Sequence, residues 1–461
     1  MMLIMKERLS NEMKVSKFGG SSVATAEQII KVLNIVNSDD ERQIVIVSAP
    51  GKRHQNDTKT TDLLIRLYEK VISDLDYSHK KGEILERFND IIKGLDLKTN
   101  ILEEIDRTLE HLIEELKDQP ERLLDALKSS GENFNAQIIA AYNTQQGIPT
   151  KYMSPKDAGI IVTDEPGNAQ ILETSYDKIN TLNHSNHKII IPGFFGYSEQ
   201  GNIVTFPRGG SDITGAIISR GVRAKLYENF TDVSGIYRAN PNVIHEPEII
   251  NEITYREMRE LSYAGFGVFH DEALQPLYRY RIPVVIKNTN RPEDPGTFIL
   301  HDREFDRKKV VAGISCDKGF TSINIKKYLM NRQVGFTVKI LNILAENNIS
   351  FDHMPSGIDN ISIIMRTAQI RGKEQKILEA IRQQCDIDEL NIEQDLAILM
   401  VVGEGMSATV GTANKITTAL ADANINLRMI NQGSSEISMM FGISNDDAEN
   451  AVKVCYEKCY D

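Results

Sequence analysis

The chain has 461 residues, 41% of them hydrophobic and 26% charged, proportions that argue against long disordered tracts. At roughly 150 residues per domain, the length implies about three domains. A net charge of −12 without a basic patch repels polyphosphate backbones and anionic surfaces, so neither nucleic acid nor membrane is an expected partner.

No apolar run approaches the ~20 residues of a membrane span. The four cysteines form no CxxC pair, which speaks against a disulfide framework or a zinc site. A protein without its own metal site, in a reducing cytoplasmic compartment, is the expectation. Lys6, Glu7 and Arg8 interrupt the opening apolar residues before a signal-peptide core forms, so residues 1–12 read as a short extension.

The first regular element is a strand at 13–18, which runs into Gly19-Gly20-Ser21-Ser22 and then a helix at 26–36. Residues 43–48 are an apolar β-branched run of the kind buried on both faces of a sheet. Strand, helix and strand in succession predict a parallel sheet. From 61 to 142 the apolar spacing is helical, with Pro120 interrupting it and charged residues on the solvated faces. Strand signals return at 189–192, 225–227 and 283–286, separated by helices at 212–220 and 255–263. The whole reads as one α/β domain at 13–300, closed by the Pro-rich segment 290–296 and followed by a linker at 301–312.

Beyond the linker two shorter blocks, 313–390 and 391–461, repeat the order βαββα. The first comprises a strand at 321–325, a helix at 335–347, strands at 349–353 and 361–366, and a helix at 373–384. In the second the strands are at 396–402, 425–430 and 436–443 and the helices at 411–422 and 446–456. Internal duplication behind a catalytic-looking domain suggests regulation. Val402-Gly403-Glu404-Gly405 imitates a dinucleotide fingerprint, but the ~50 residues after it are too few for a Rossmann domain, and no fused dehydrogenase is expected.

Two turns carry the chemistry. Lys17 and the Gly19-Gly20 pair stand where a strand gives way to a helix, so backbone N–H groups and a full positive charge converge on a place suited to phosphate. Alone, the glycine pair would be no more than a tight turn. The second turn, Phe206-Pro207-Arg208-Gly209-Gly210-Ser211-Asp212, presents Arg208, whose planar fork suits a carboxylate or phosphate, and Asp212, which can position Lys17. One turn would hold nucleotide phosphates and the other the acceptor. GxxxxGK[ST] and the HRD and DFG set are missing, so neither a P-loop enzyme nor a protein kinase fits.

KFGGSSV (17–23), IVIVSAPG (44–51), SSGE (129–132), RGGSD (208–212) and TDVSGIY (231–237), in this order and ahead of a duplicated βαββα block, resemble the aspartokinase family over nearly the whole chain. The resemblance implies a three-layer αβα amino-acid-kinase domain with a mostly parallel central sheet, followed by two ACT domains. It further implies transfer of the ATP γ-phosphoryl, with Mg2+, to the side-chain carboxylate of L-aspartate. The product would be 4-phospho-L-aspartate, at the first step toward lysine, threonine and methionine.

By the same resemblance, Lys17 bridges the transferring phosphoryl while Gly19, Gly20 and Ser21 cradle phosphates. Ser48 and Glu132 bind the acceptor, Glu132 through its ammonium, and Arg208 clamps a carboxylate. Asp212 orients Lys17, and Thr231, Asp232 and Tyr237 line the nucleotide pocket. An aspartate side chain with a reference pKa near ~3.9 is already ionised, so the work is to overcome repulsion between two anions rather than to remove a proton.

The chain departs from the family at Gly267, where a lysine is usual, and at Asn242 and Asn240, where an arginine and an aspartate are usual. Arg238 and Lys287 are the expected substitutes, with Lys52 or Lys59 as further sources of charge. Met330, Gly335, Phe336, Asp352 and Ser356 match lysine-binding positions of lysine-inhibited relatives, Asp352 taking the effector's ammonium, although Met330 and Phe336 suit a core equally well. The effector could be lysine, threonine or both. ACT domains pair across chains, which implies a homodimer or homotetramer. The competing readings are an amino-acid sensor that has lost catalysis and a kinase of a related carboxylate such as glutamate.

Overall fold

The computed structural model describes residues 12–207, 209–267, 269, 271–304 and 309–460. Two compact units result, the first made of Met1–Ile236, Ile249–Met258 and Gly267–Arg303, the second of Tyr237–Glu248, Arg259–Phe266 and Glu304–Asp461.

In the first unit, β1 (Lys14–Phe18) leads through a short 3-10 turn into α1 (Ala26–Asn37). Thr25 caps that helix by accepting the Gln28 N–H, and buried Ile29, Val32, Leu33 and Val36 recur at the spacing of one helix face. β2 (Arg42–Val47) follows, its last four residues buried. The long helical stretch resolves into α2 (Thr60–Ile72), α3 (Ser78–Gly94), α4 (Ile101–Leu116) and α5 (Pro120–Gln145). Pro120 opens α5 at a position where a missing N–H costs nothing.

The chain continues with β3 (Thr150–Tyr152), β4 (Ile161–Val162), α6 (Ser175–Ile179), β5 (Lys188–Pro192), β6 (Phe195–Ser198), β7 (Ile203–Thr205) and α7 (Gly210–Gly221). β8 (Leu226–Thr231), β9 (Ile236–Tyr237), β10 (Ile249–Ile250), β11 (Glu252–Thr254), α8 (Tyr255–Tyr263), α9 (Asp271–Tyr278), β12 (Val284–Asn288) and β13 (Thr297–Leu300) complete it. β3, β4, β6 and β7 are too short to leave a readable alternation, and the sequence reading has no strand there.

Among the described residues the main sheet has the order β11-β13-β12-β8-β1-β2-β5-β3. All its neighbours are parallel except β12 and β13. The αβα expectation therefore holds: α1 to α5 share a core with Phe18 and Phe230 on one face, and α7 packs on β1 and β8. The chain leaves β1 toward β2 on one side, while β8 lies on the other. Such a switch point opens a crevice at the carboxyl ends of the strands, which is where Gly19-Gly20 stands. Beneath it Phe18 stacks on Phe230 (4.7 Å between centroids). Arg42 grips Glu228 through both nitrogens of its fork, at 2.7 and 2.9 Å.

The second unit contains β14 (Gly313–Lys326), α10 (Phe336–Glu346), β15 (Asn360–Arg366), α11 (Thr367–Ile370), α12 (Glu374–Gln384), β16 (Glu389–Val402), α13 (Thr412–Asp422), β17 (Met429–Gln432), β18 (Ser438–Ser444) and α14 (Ala448–Tyr460). Its sheet, β15-β14-β16-β18-β17, is antiparallel throughout. The two blocks thus share one sheet. β14 and β16 are each 14 residues long, well beyond the spans 321–325 and 396–402 expected, because polar runs, Cys316-Asp317-Lys318-Gly319 in β14 and Glu393-Gln394-Asp395 in β16, interrupt their apolar patterns.

Two expected strands change. Residues 349–353 form no strand: His353 and Ser356 make only isolated bridges, to Ile364 and Ile361, since Pro355 between them has no N–H to give the ladder. The expected strand at 425–430 becomes β17, shifted toward the C-terminus. Ile425 instead donates its N–H to Leu420 O and closes α13 after Asn424, whose φ is +56°. The unit also recruits 237–248 and 259–266 from within the expected first domain. Arg238 Nη1 reaches the carbonyls of Val311 (3.0 Å) and Ala312 (3.1 Å), and Ser315 bonds Ala264 O. None of the described helices is long and apolar enough to cross a membrane.

Replacing Arg42 by Met would leave the Glu228 carboxylate, 3% exposed, without its cation. A loss of about 3 kcal/mol in urea unfolding is expected, with Arg42→Lys recovering only part of it because an ammonium cannot reproduce the fork.

Candidate active site

Strand alternation puts Lys17 on the face of β1 opposite Phe18, and α7 begins beside it. Lys17 Nζ lies 2.5 Å from Asp212 Oδ1, and both residues are largely buried. Asn229, from β8, donates to the same Asp212 oxygen at 2.9 Å and stands 3.4 Å from Lys17 Nζ through its own carbonyl. The hydroxyl of Tyr227 donates to Asp212 O at 3.2 Å. The two distant turns therefore meet at one cation, and Asn229 is a member that the motifs did not flag. Its only sequence signal is an amide beside Glu228 in a short strand buried over most of its length.

The glycine corner is packed as closely as its residues permit. A side chain on Gly51 would come within 2.6 Å of Gly20, and Gly51 N–H donates to Gly20 O at 2.9 Å. Gly19 gives its N–H to Phe230 O at 3.1 Å, so that donor is already engaged, against its expected share in a phosphate cradle. Arg208 lies outside the described residues. Gly209 after it has φ +77°, a left-handed conformation that glycine tolerates.

Glu132 comes from the middle of α5. It is 5% exposed, and its Oε2 has no hydrogen-bond partner. Burial pushes its pKa up to about 8, against the opposing pull of the Ala49 and Glu132 backbone N–H groups and of Lys128. One turn on, Asn135 donates to Ser48 O at 2.8 Å while its own Oδ1 is buried without a partner. Ser48 is half-buried at the tip of β2. The unpartnered oxygens of Glu132 and Asn135, one on a carboxyl that can ionise and one on an amide carbonyl, suit an ammonium with its three donors.

The loop after β2 owes its shape to Arg87, 3% exposed. Its guanidinium donates to Gly51 O, Thr58 O and both Asp57 oxygens, all at 2.8–2.9 Å. Although burial works to raise it, the Arg53 and Arg87 guanidiniums hold the Asp57 carboxyl well below the usual range. Lys52 and Lys59 are exposed.

Thr231 bonds Asp232 at 3.1 Å, and Asn288 braces that turn through Asp232 O and Ser234. Ser22 meets Thr289 at 2.7 Å, tying this end of the sheet to the glycine corner. Lys287 is in register with Phe230, whereas Asn229 pairs with Lys17. It therefore points to the face of Phe230, away from Asp212, which corrects its expected place beside the phosphates. Burial lowers its pKa. Arg238 is corrected as well, because its guanidinium is taken by Val311, Ala312 and Glu248 and lies over the Tyr460 ring. Tyr237 is half-buried, and Asn242 and Gly267 are exposed.

In the second unit Met330 and Phe336 belong to the hydrophobic core around Ile340 and Ile363. Gly335 opens α10 with φ +77°. Asp352 accepts a hydrogen bond from Tyr263, and Ser356 bridges Ile361.

The Amino acid kinase family model matches residues 12–288, and an ACT domain model matches 399–459. Aspartokinase 3 of Bacillus subtilis (strain 168) is 48% identical over 97% of this chain and 99% of its own length. The crystal structure of aspartate kinase from Clostridium acetobutylicum superposes with a TM-score of 0.84 at 41% identity, over 97% of this chain and 100% of that one. E. coli aspartokinase III in complex with aspartate and ADP gives 0.78 at 25% identity, over 98% and 100%.

Glu132 yields a test that needs no substrate. Its folded-state pKa, about 8, lies above its ordinary value of 4.5, so between these values the native state holds a proton that the unfolded chain has released. Stability should therefore fall as pH rises through that window, by on the order of 4 kcal/mol. Thermal unfolding of Glu132→Gln across the same range should lack that decline.

Proposed function

The chain belongs to the amino acid kinase family as an aspartokinase, an ATP-dependent phosphotransferase with a carboxyl acceptor, and from that premise we propose its reaction and control. It transfers the γ-phosphoryl of Mg-ATP to the side-chain carboxylate of L-aspartate, giving 4-phospho-L-aspartate for the lysine, threonine and methionine branch. The observation that carries this reading is the 2.5 Å contact between Lys17 and Asp212, which gathers both glycine turns around one cation at the switch point of the sheet.

The acceptor is already an anion at neutral pH, so no residue is required as a base. Lys17, held by Asp212 and Asn229, faces the charge that builds on the transferring phosphoryl, and a donor fixed in advance costs no reorganisation at that moment. The N–H groups of Gly20 and Ser21 face the phosphates, and Thr231, Asp232 and Tyr237 border the nucleotide. Magnesium arrives as part of the substrate, bound by phosphate oxygens and water as that ion prefers. Glu132 takes the acceptor's ammonium, with Ser48 beside it and Arg208 on a carboxylate.

Residues 313–390 and 391–461 act as two ACT modules that bind lysine, threonine or both and pair into a homodimer or homotetramer in the cytoplasm. An effector ammonium at Asp352 would compete with the Tyr263 hydroxyl that this carboxylate now accepts.

Purified protein with Mg-ATP and L-aspartate should form an acyl phosphate that hydroxylamine traps, and Lys17→Ala should lower the rate by roughly a thousandfold or more. A wild-type blank with nucleotide still bound would favour a sensor, and turnover of glutamate in place of aspartate would reassign the substrate. Inhibition by lysine, threonine or the pair in the same assay identifies the effector. Because burial raises the Glu132 pKa toward the protonated form, aspartate binding should also release a proton. Binding heats that vary with the buffer's ionisation enthalpy would register it, and that dependence should vanish in Glu132→Gln.

A further inference from the structure

The first unit holds a cavity of about 490 Å³ lined by residues of α7, α9 and the chain at 168–176, a size that takes a small molecule. Every residue that lines it belongs to that unit. Its apolar lining comes from Ile213 and Ile217 on α7 and from Phe206 and Pro207 just before that helix. Its charged lining is balanced, with Arg220 and Arg279 against Glu173 and Glu272.

Arg220 is the fixed member. Its guanidinium carbon lies 3.5 Å from the centre of the Tyr176 ring and 4.7 Å from that of Tyr280, so aromatic rings hold the plane of the fork and its edge is left for anions. At that edge Nη2 donates to Glu173 Oε2 at 2.6 Å and to the Tyr280 hydroxyl at 3.2 Å. Nε and the Tyr176 hydroxyl are both buried without a hydrogen-bond partner among the described residues, and polar groups left so are costly. Burial pushes the Tyr176 pKa up to about 12, which keeps its hydroxyl neutral and able to donate.

The anion that Arg220 holds is a replaceable one. The Glu173 side chain is 76% exposed against 12% for Arg220, and an ion pair with one member in water is worth little. A ligand carboxylate on the Nε and Nη2 edge would make two parallel bonds where Glu173 makes one. Glu173, once displaced, would need a cation, and a molecule that carries both charges brings it.

We propose that this cavity is a second amino-acid site, separate from the acceptor site and from the ACT modules, for an α-amino acid with an apolar side chain. Arg220 and Tyr176 hold its carboxylate, Glu173 turns to its ammonium, and its side chain covers Ile213 and Ile217. The exchange leaves no charge without a partner. Phe206 and Pro207 run directly into Arg208 and the turn that carries Asp212, so the occupant bears on the acceptor site and alters the KM for aspartate; this last step rests on the aspartokinase reading above.

L-Leucine is the probe, titrated by calorimetry without nucleotide beside L-leucinamide, which lacks the carboxylate, and 4-methylpentanoate, which lacks the ammonium. Leucine should bind, and each analogue should bind about tenfold more weakly or worse. Gln275→Trp, at an exposed position of the lining, should fill the cavity and abolish binding. Arg220→Met should weaken binding by about thirtyfold, in keeping with a lost charged hydrogen bond, and Tyr176→Phe, which keeps the stacked ring, by about fivefold. If Arg220→Met does not fold, Gln275→Trp and Tyr176→Phe carry the comparison. In the hydroxylamine assay saturating leucine should change the aspartate KM by about fivefold in the wild type and leave it alone in Gln275→Trp. Leucine that does not bind, that binds no better than leucinamide, or that binds Gln275→Trp as tightly as the wild type would overturn the site. An aspartate KM indifferent to bound leucine would overturn its control of the acceptor. Because the titration needs no turnover, a chain that ignored aspartate would sink the kinase reading while the binding heats still decided the site.

Discussion

A buried ammonium needs a partner, and in this chain one ammonium organises the site. Lys17 is 8% exposed, and removing such a charge from water is costly unless a carboxylate and further hydrogen bonds compensate. Asp212 and Asn229 supply them. To do so, the first turn of α7 must sit against the carboxyl ends of β1 and β8. That demand accounts for Gly209 in a left-handed conformation and for Gly193, where any side chain would collide with Ser211. The pair is thus a positional constraint first, and its contribution to stability follows from being met.

What was legible in the sequence follows from what leaves a pattern. Lys17, Gly19-Gly20 and the turn before Asp212 announce themselves because strand-to-helix turns with glycine are rare and their charged residues stand out. The helices α1 to α5 show their apolar spacing over many turns. Asn229 and Asn135 were invisible for the opposite reason: neither belongs to a glycine turn, and only the register of β8 against β1, or of α5 against the sheet, gives it a role. The reading of Lys287 and Arg238 as replacement cations failed on geometry that no composition reveals. One points to the opposite face of its sheet, and the other is consumed by backbone carbonyls.

The duplicated block was visible as a repeat but not as a shared object. Its periodicity gives the order βαββα twice, yet the two long strands belong to both copies. The first half of β14 pairs with the last part of β16, next to β18, and its second half lies between β15 and the beginning of β16. Sequence patterns locate elements along the chain. They are silent on which copy an unbroken strand serves when a polar run divides it.

The pairing of β14 with β16 runs without a break from Gly313 opposite Val402 to Lys326 opposite Glu389, apart from register shifts near Gly319. One core, around Phe336, is built on one end of this ladder, and another, around Phe441, on the other. Amides along a common ladder are released to solvent together, since opening one end strips hydrogen bonds that the other end needs. Slow hydrogen exchange should therefore span both cores as a single foldon, and a small molecule that tightens either core would slow exchange in its twin.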